Sequence, residues 1–321
     1  MRLPAFLAAL LFASAASSGF SAGPDFPSWA FPINPRGAPA PAADDSVRRV
    51  PDSAVTFTAK EIAAIAGPVP DWHPEEHPTM PAIVARGRPP AVYSCAYCHL
   101  PTGNGRPENS NLAGLTAGYI TQQMAAFKNG QRAGSAPDRL PQTMMIALAK
   151  QATDAEVREA ADYFAALKPT SFVQVIEAEA VPKSVVAGWT LTAAPEGGTE
   201  PLGQRIIEMP VDFEIFENRD ARSAYVAYVP PGSIKRGQQL VVTGGDGRTL
   251  QCAACHGTDL RGLVDIPRLL GRSPSYLFRQ LYDFKHGSRH GVTADLMQPV
   301  VTNLTDDDMI DIVAYLASRR P

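Results

Sequence analysis

The sequence predicts a mainly α chain of two equivalent helical domains in tandem, with an irregular N-terminal arm and a partly β insert between the domains. Three observations carry this. The pentapeptide Cys95-Ala96-Tyr97-Cys98-His99 returns as Cys252-Ala253-Ala254-Cys255-His256, an offset of 157, and the two copies use all four cysteines of the 321 residues. The same offset relates Gly105 to Gly262, Leu112 to Leu269 and Gly114 to Gly271. It also relates Tyr119–Arg132 to Tyr276–Arg289, where Tyr, Gln, Phe, Lys, Gly and Arg recur at matching places. Further on, at an offset of 152, Thr153–Pro169 maps to Thr305–Pro321.

Taken in order, residues 1–22 read as a secretory signal peptide: Met1-Arg2, an apolar run from Leu3 to Ala16, then small residues to Ala22. Cleavage falls between Ala15 and Ala22; the rival reading is an uncleaved anchor. Nothing after it is long and apolar enough to span a bilayer. Losing Arg2 moves the formal charge from −3 to −4, and no basic run points to nucleic acid. Residues 23–74 form a Pro- and Ala-rich arm with Trp29, Phe31 and Trp72, read as extended chain lying on a surface or left loose.

The first domain is placed at 75–169 and the second at 222–321. Each reads as a helix, the cysteine motif, a loop, a helix, a loop with a methionine, and a C-terminal helix. The leading helix is weakest, at Pro81–Arg86 and Ile234–Val242. Apolar residues at helical spacing (Tyr119, Met124, Phe127; Tyr276, Leu281, Phe284) precede a glycine that stops the helix. Thr153 and Thr305 each precede an acid by three residues, a capping pattern, and a proline closes each copy. The change of offset by five requires a longer loop in the first copy, around 133–142. The insert, 170–221, holds two strand-like runs, Val173–Glu177 and Arg205–Met209, around Gly197-Gly198.

Cys-x-x-Cys-His marks covalent c-type haem attachment. The thiols of Cys95 and Cys98, and of Cys252 and Cys255, are placed to form thioethers to two haems. His99 and His256 are placed to bind the irons from the proximal side. Zinc or disulfide readings of the cysteines give no reason for the histidine that follows both pairs. Met145 and Met297 share the later offset, each eight residues before its capping threonine, and are the expected distal ligands. Met144 comes second, since its counterpart is Leu296, and Met124 reads as core. His286 and His290 read as a surface loop. His73-Pro-Glu-Glu-His77 reads as an exposed loop rather than a metal site. Arg132 and Arg289 read equally well as propionate partners or as helix C-terminal cations facing water.

On the two motifs, the Tyr…Gln…Phe-Lys-x-Gly-x-Arg segments, Met145 and Met297 and the paired terminal helices, the chain resembles tandem diheme cytochromes c of class I, the c-four type, over about 75–169 and 222–321. The resemblance implies small helical bundles, each around one haem, with the haems close enough for internal electron transfer. It implies a periplasmic carrier of single electrons, not itself an enzyme. The donor would be a dehydrogenase, with this chain in one reading its cytochrome subunit, and the acceptor an oxidase or other cytochrome. The arm and insert depart from the family pattern; a brace is the favoured reading of the insert. The enzyme alternative is a diheme peroxidase, against which stands a methionine at one register in both halves. A thiosulfate-oxidising enzyme with a distal cysteine is excluded if both haems bind covalently, since no cysteine is left.

Overall fold

A computed structural model of the chain describes residues 26–37 and 43–321; the expected signal peptide lies outside them. Among the described residues no helix is long and apolar enough to cross a membrane. The arm contributes a small ladder of β1 (Val47–Arg48) and β2 (Phe57–Thr58), then α1 (Ala59–Ala63). The first haem-motif copy follows as α2 (Ala82–Ala85), α3 (Cys95–His99), α4 (Ala117–Lys128), α5 (Leu140–Gln151) and α6 (Asp154–Ala166). The insert holds β3 (Val173–Glu177), β4 (Ala180–Pro182), β5 (Ser184–Ala187), β6 (Thr190–Ala193), β7 (Thr199–Pro201), β8 (Ile207–Pro210), α7 (Phe213–Glu217) and β9 (Tyr225–Val229). The second copy is α8 (Ser233–Thr243), α9 (Ala253–His256), α10 (Pro274–Lys285), α11 (Gln298–Val301) and α12 (Asp306–Ser318).

The terminal helices start as their sequences require. Thr153 accepts from the Glu156 amide while Glu156 reaches back to the Thr153 amide, and Thr305 with Asp308 repeats this at α12. Each capping box satisfies two amides that a helix start leaves without partners. Both offsets reappear as matched backbone bonds. Leu112 N donates to Gly103 O at 2.8 Å and Leu269 N to Leu260 O at 2.9 Å; Gly114 N donates to Phe164 O at 3.2 Å and Gly271 N to Leu316 O at 3.1 Å.

The insert is partly β, as expected. Its three-stranded sheet has β9 in the centre, parallel to β3 and antiparallel to β8, and β4–β7 and β5–β6 form antiparallel pairs. The second strand-like run begins at Ile207, two residues later than the sequence suggested. Buried Glu208 on β8 ties the sheet to the second copy: one oxygen accepts from Ser273 Oγ at 2.7 Å and Ser275 N at 3.0 Å, at the start of α10. A carboxylate there meets unpaired amides and the positive end of the helix dipole.

Of the two readings of the arm, the one that lays it on a surface holds; the expectations that need correction concern 73–77 and the methionines. Phe31 meets Tyr282 of α10 edge-on and Trp29 packs tilted against Phe278, while buried Trp72 donates its indole N–H to Asn218 O at 2.7 Å. The 73–77 segment is a 3-10 turn (Pro74–Glu76) in which His73 is buried against Asp220. Pro74–Glu76 are exposed as expected, but Asp220 of the insert covers His73. Met145 lies within a full helix, α5, and Met297 ends a 3-10 turn, Asp295–Met297, so neither sits in irregular chain. The run Met144-Met-Ile-Ala-Leu-Ala149 consists mostly of good helix formers, and Pro141 fits a first helical turn.

Candidate haem sites

In each copy one short helical turn presents both cysteines and the histidine. His99 follows Cys98 at the end of α3, and His256 ends α9 with Cys252 at its N-cap. The chain then loops back so that a carbonyl eleven residues on meets the imidazole: His99 Nδ1 lies 2.8 Å from Ser110 O, and His256 Nδ1 lies 2.7 Å from Pro267 O. A carbonyl only accepts, so Nδ1 carries the proton and Nε2 keeps a free lone pair. This is the outer-shell contact that orients a metal-binding histidine. The loop turns tightly. Gly105 and Gly262 have φ of +66° and +96°, and each amide donates to its histidine's carbonyl at 2.9 Å. A Cβ on Gly105 would lie 2.5 Å from Ser110 O, and one on Gly262 2.7 Å from Ile266 O.

Burial sets the protonation states. It pushes the His99 imidazole down to about 4, outweighing the Ser110 bond, and lowers His256 likewise. Both rings are therefore neutral at pH 7 and able to bind iron. Burial raises the Cys95 thiol to about 12 and Cys252 to about 11, and also raises Cys98. All four sulfurs are unbridged.

The first copy's expected residues meet in one cavity. Cys95, Cys98, His99, Met144 and Met145 all line it, and its empty space, open mouth included, is about 1440 Å³. Ile83, Val92, Leu112, Ile120, Leu148 and Phe164 make its walls mainly apolar. Met124 also lines it while packing on the first core. In the second copy, half-buried Cys252 and Met297 pack on one apolar core, and Cys255 is exposed. Paired thiols, a neutral imidazole with a free Nε2 and an apolar cavity fit a covalently attached haem. His286 and His290 are exposed at the end of α10 and beyond, as expected.

Arg132 and Arg289 do not face water; both are buried where the copies meet. Arg132 donates to Tyr276 Oη at 2.9 Å and Gln280 Oε1 at 2.9 Å, and Arg289 returns the pattern to Tyr119 Oη at 3.0 Å and Gln123 Oε1 at 2.8 Å. The backbones cross with the same symmetry: Ala133 N donates to Ser288 O and His290 N to Gln131 O, both at 2.8 Å. The recurring Tyr, Gln and Arg are thus the contact between copies. Sequence reasoning missed buried Arg139 and Arg279 in the first cavity. It also missed Arg219, which stacks on the Tyr97 ring at 3.6 Å and donates to Tyr97 O at 2.9 Å. No repeat or motif marks these three.

Comparison with known proteins agrees with this geometry. The cytochrome c family model matches residues 84–168 and 234–320, more than half of the chain. Cytochrome c4 of Pseudomonas aeruginosa is 39% identical over 77 residues, 24% of this chain and 37% of that protein. The thiosulfate dehydrogenase electron acceptor of Thiomonas intermedia is 25% identical over 234 residues, covering 72% of this chain and 81% of that one. The solved thiosulfate dehydrogenase of Marichromatium purpuratum shares the fold with a TM-score of 0.51 at 23% identity, over 75% of this chain and 39% of its own. With two matched family segments, each centred on a Cys-x-x-Cys-His turn whose histidine is held ready for iron, the chain is a member of the cytochrome c family, a tandem protein of the cytochrome c4 type with two covalently attached c-type haems.

Proposed function

We propose that the chain relays single electrons in the periplasm between a dehydrogenase and a terminal acceptor, with the first haem on Cys95 and Cys98 and the second on Cys252 and Cys255. In this reading His99 and Met145 hold the first iron and His256 and Met297 the second. The observation that carries it is the equivalence of the two sites. Both histidines are fixed through Nδ1 by a carbonyl, both copies offer a methionine at one register, and the copies face each other through reciprocal Arg, Tyr and Gln contacts.

Bound haem iron supplies the one-electron couple. The protein's share is to keep Nε2 unprotonated, to exclude water with apolar walls and to offer a thioether that closes the sixth position. An iron closed on both sides suits electron transfer rather than substrate chemistry. The resemblance to an electron acceptor of thiosulfate dehydrogenase makes a dehydrogenase the favoured donor. We place the domains at 75–169 and 222–321, with the 23–74 arm and the 170–221 insert as braces.

The test is spectroscopic. A pyridine haemochrome assay gives two haems per chain, and the oxidised protein shows the near-red methionine–iron charge-transfer band. Met145→Ala and Met297→Ala each remove about half of that band, one of two equivalent irons, while Met144→Ala leaves it. A band unchanged in both of the first two variants overturns the assignment. Turnover of peroxide at enzyme rates overturns the carrier role.

A further inference from the structure

The two segments that depart from the family pattern converge on the first haem cavity. Arg139 belongs to the longer loop of the first copy, and its counterpart at the later offset is Gly291. Arg279 reaches in from α10 of the second copy, and its counterpart is the exposed Gln122. Both arginines line the cavity that holds Cys95, Cys98 and His99, and they are 4% and 5% exposed. The insert and the arm each aim one of them. Arg139 donates to Trp189 O at 3.2 Å, and the Trp189 amide is held by Asn34 Oδ1 at 3.0 Å. Arg279 donates to Ala30 O at 2.9 Å and also to Pro107 O.

These are buried cations on which carboxylates act only at a distance, Glu108 and Asp283 on both and Glu208 on Arg279. Among the described residues neither guanidinium pairs with a carboxylate, and Arg139 Nε has no hydrogen-bond partner. The acids that line the cavity are engaged elsewhere. Glu108 pairs with Arg106 at 2.8 Å, Glu156 with Arg88 at 2.6 Å, and Asp283 accepts from Ser135 N at 2.9 Å and Ser135 Oγ at 2.8 Å. Arg132, the third cation of the lining, is committed to Tyr276, Gln280 and Gln123. A buried guanidinium is costly without an anion and matches a carboxylate by its planar fork. Burial lowers the Arg139 and Arg279 side chains below their usual range, with Arg279 adding to the effect on Arg139, while Glu108 and Asp283 oppose it at both and Glu208 at Arg279. Burial would raise the nearby Tyr276 hydroxyl, yet Arg132, Arg272 and Arg289 pull it down to about 7.

We propose that Arg139 and Arg279 clamp the propionate carboxylates of the first haem and raise its potential. The inference rests on the diheme reading above. Positive charge fixed beside a haem, or neutralising its carboxylates, favours the reduced iron, which carries one positive charge less. The arm and insert then serve to hold the two arginines in place.

The experiment is a spectroelectrochemical titration of the full-length holoprotein, compared with Arg139→Gln, Arg279→Gln and Arg139→Lys, with haem content and the near-red band measured on the same samples. Two midpoints are expected in the unmodified protein. Each Gln variant lowers one midpoint and leaves the other in place, and Arg139→Lys, which keeps the charge, restores most of the shift. Resonance Raman shows the propionate bending mode of one haem moving in the Gln variants. Unmoved midpoints, or equal shifts in the Gln and Lys variants, overturn the clamp while leaving the diheme reading intact. Fewer than two haems per chain, or no near-red band, in the unmodified protein overturns that reading and the clamp with it.

Discussion

His77 has acceptors against both ring nitrogens: Pro78 O lies 2.9 Å from Nδ1 and Asp71 Oδ1 lies 3.0 Å from Nε2. Only the doubly protonated ring satisfies both, and its affinity for the proton is raised, chiefly by the Asp71 bond. A raised folded value means stability present below the unfolded value of about 6.5 and lost as pH rises through the folded one. His77→Gln should therefore lower Tm most near pH 6 and progressively less toward alkaline pH. A pH-independent difference in thermal scans would refute the charged pair. The sequence singled out His77 and missed its role, because Asp71 was too ordinary a neighbour to stand out. His99 and His256 were legible because haem attachment demands an unbroken local motif. Arg139 and Arg279 were not, because their partners Trp189 and Ala30 lie 50 and 249 residues away.

At the level of elements, local chemistry was readable and its destination was not. Threonine with an acid three residues on announced α6 and α12, since a capping box is complete within four residues. The Tyr119–Arg132 and Tyr276–Arg289 segments were found as a repeat, and a glycine stop suggested cations at the helix end. Only the fold shows that each arginine crosses to the other copy's tyrosine and glutamine. Hydrogen bonds from buried charged donors contribute about 1.5–3 kcal/mol each. A double-mutant cycle of Arg132→Gln and Tyr276→Phe should then show coupling of about 0.5–3 kcal/mol in denaturant unfolding. Additive effects would remove that bond from the interface. The helical setting of Met145 was also missed, because a ligand methionine suggested a loop while its neighbours favour helix.

At the scale of the whole molecule, the arm and insert link the two haem domains. Phe31 and Trp29 sit on α10, Trp72 hangs from Asn218, and Glu208 caps α10 from the sheet. Proline-rich composition left open whether the arm lies on a surface or hangs loose, because composition carries no record of distant aromatic partners. The reciprocal interface then makes the molecule two like sites in fixed relation, as relay between them requires. Electron paramagnetic resonance of the fully oxidised holoprotein tests that account most directly. Two closed His/Met irons predict low-spin ferric signals that integrate to two spins per chain, with no high-spin component; a stoichiometric high-spin signal would show an iron open to substrate and contradict it.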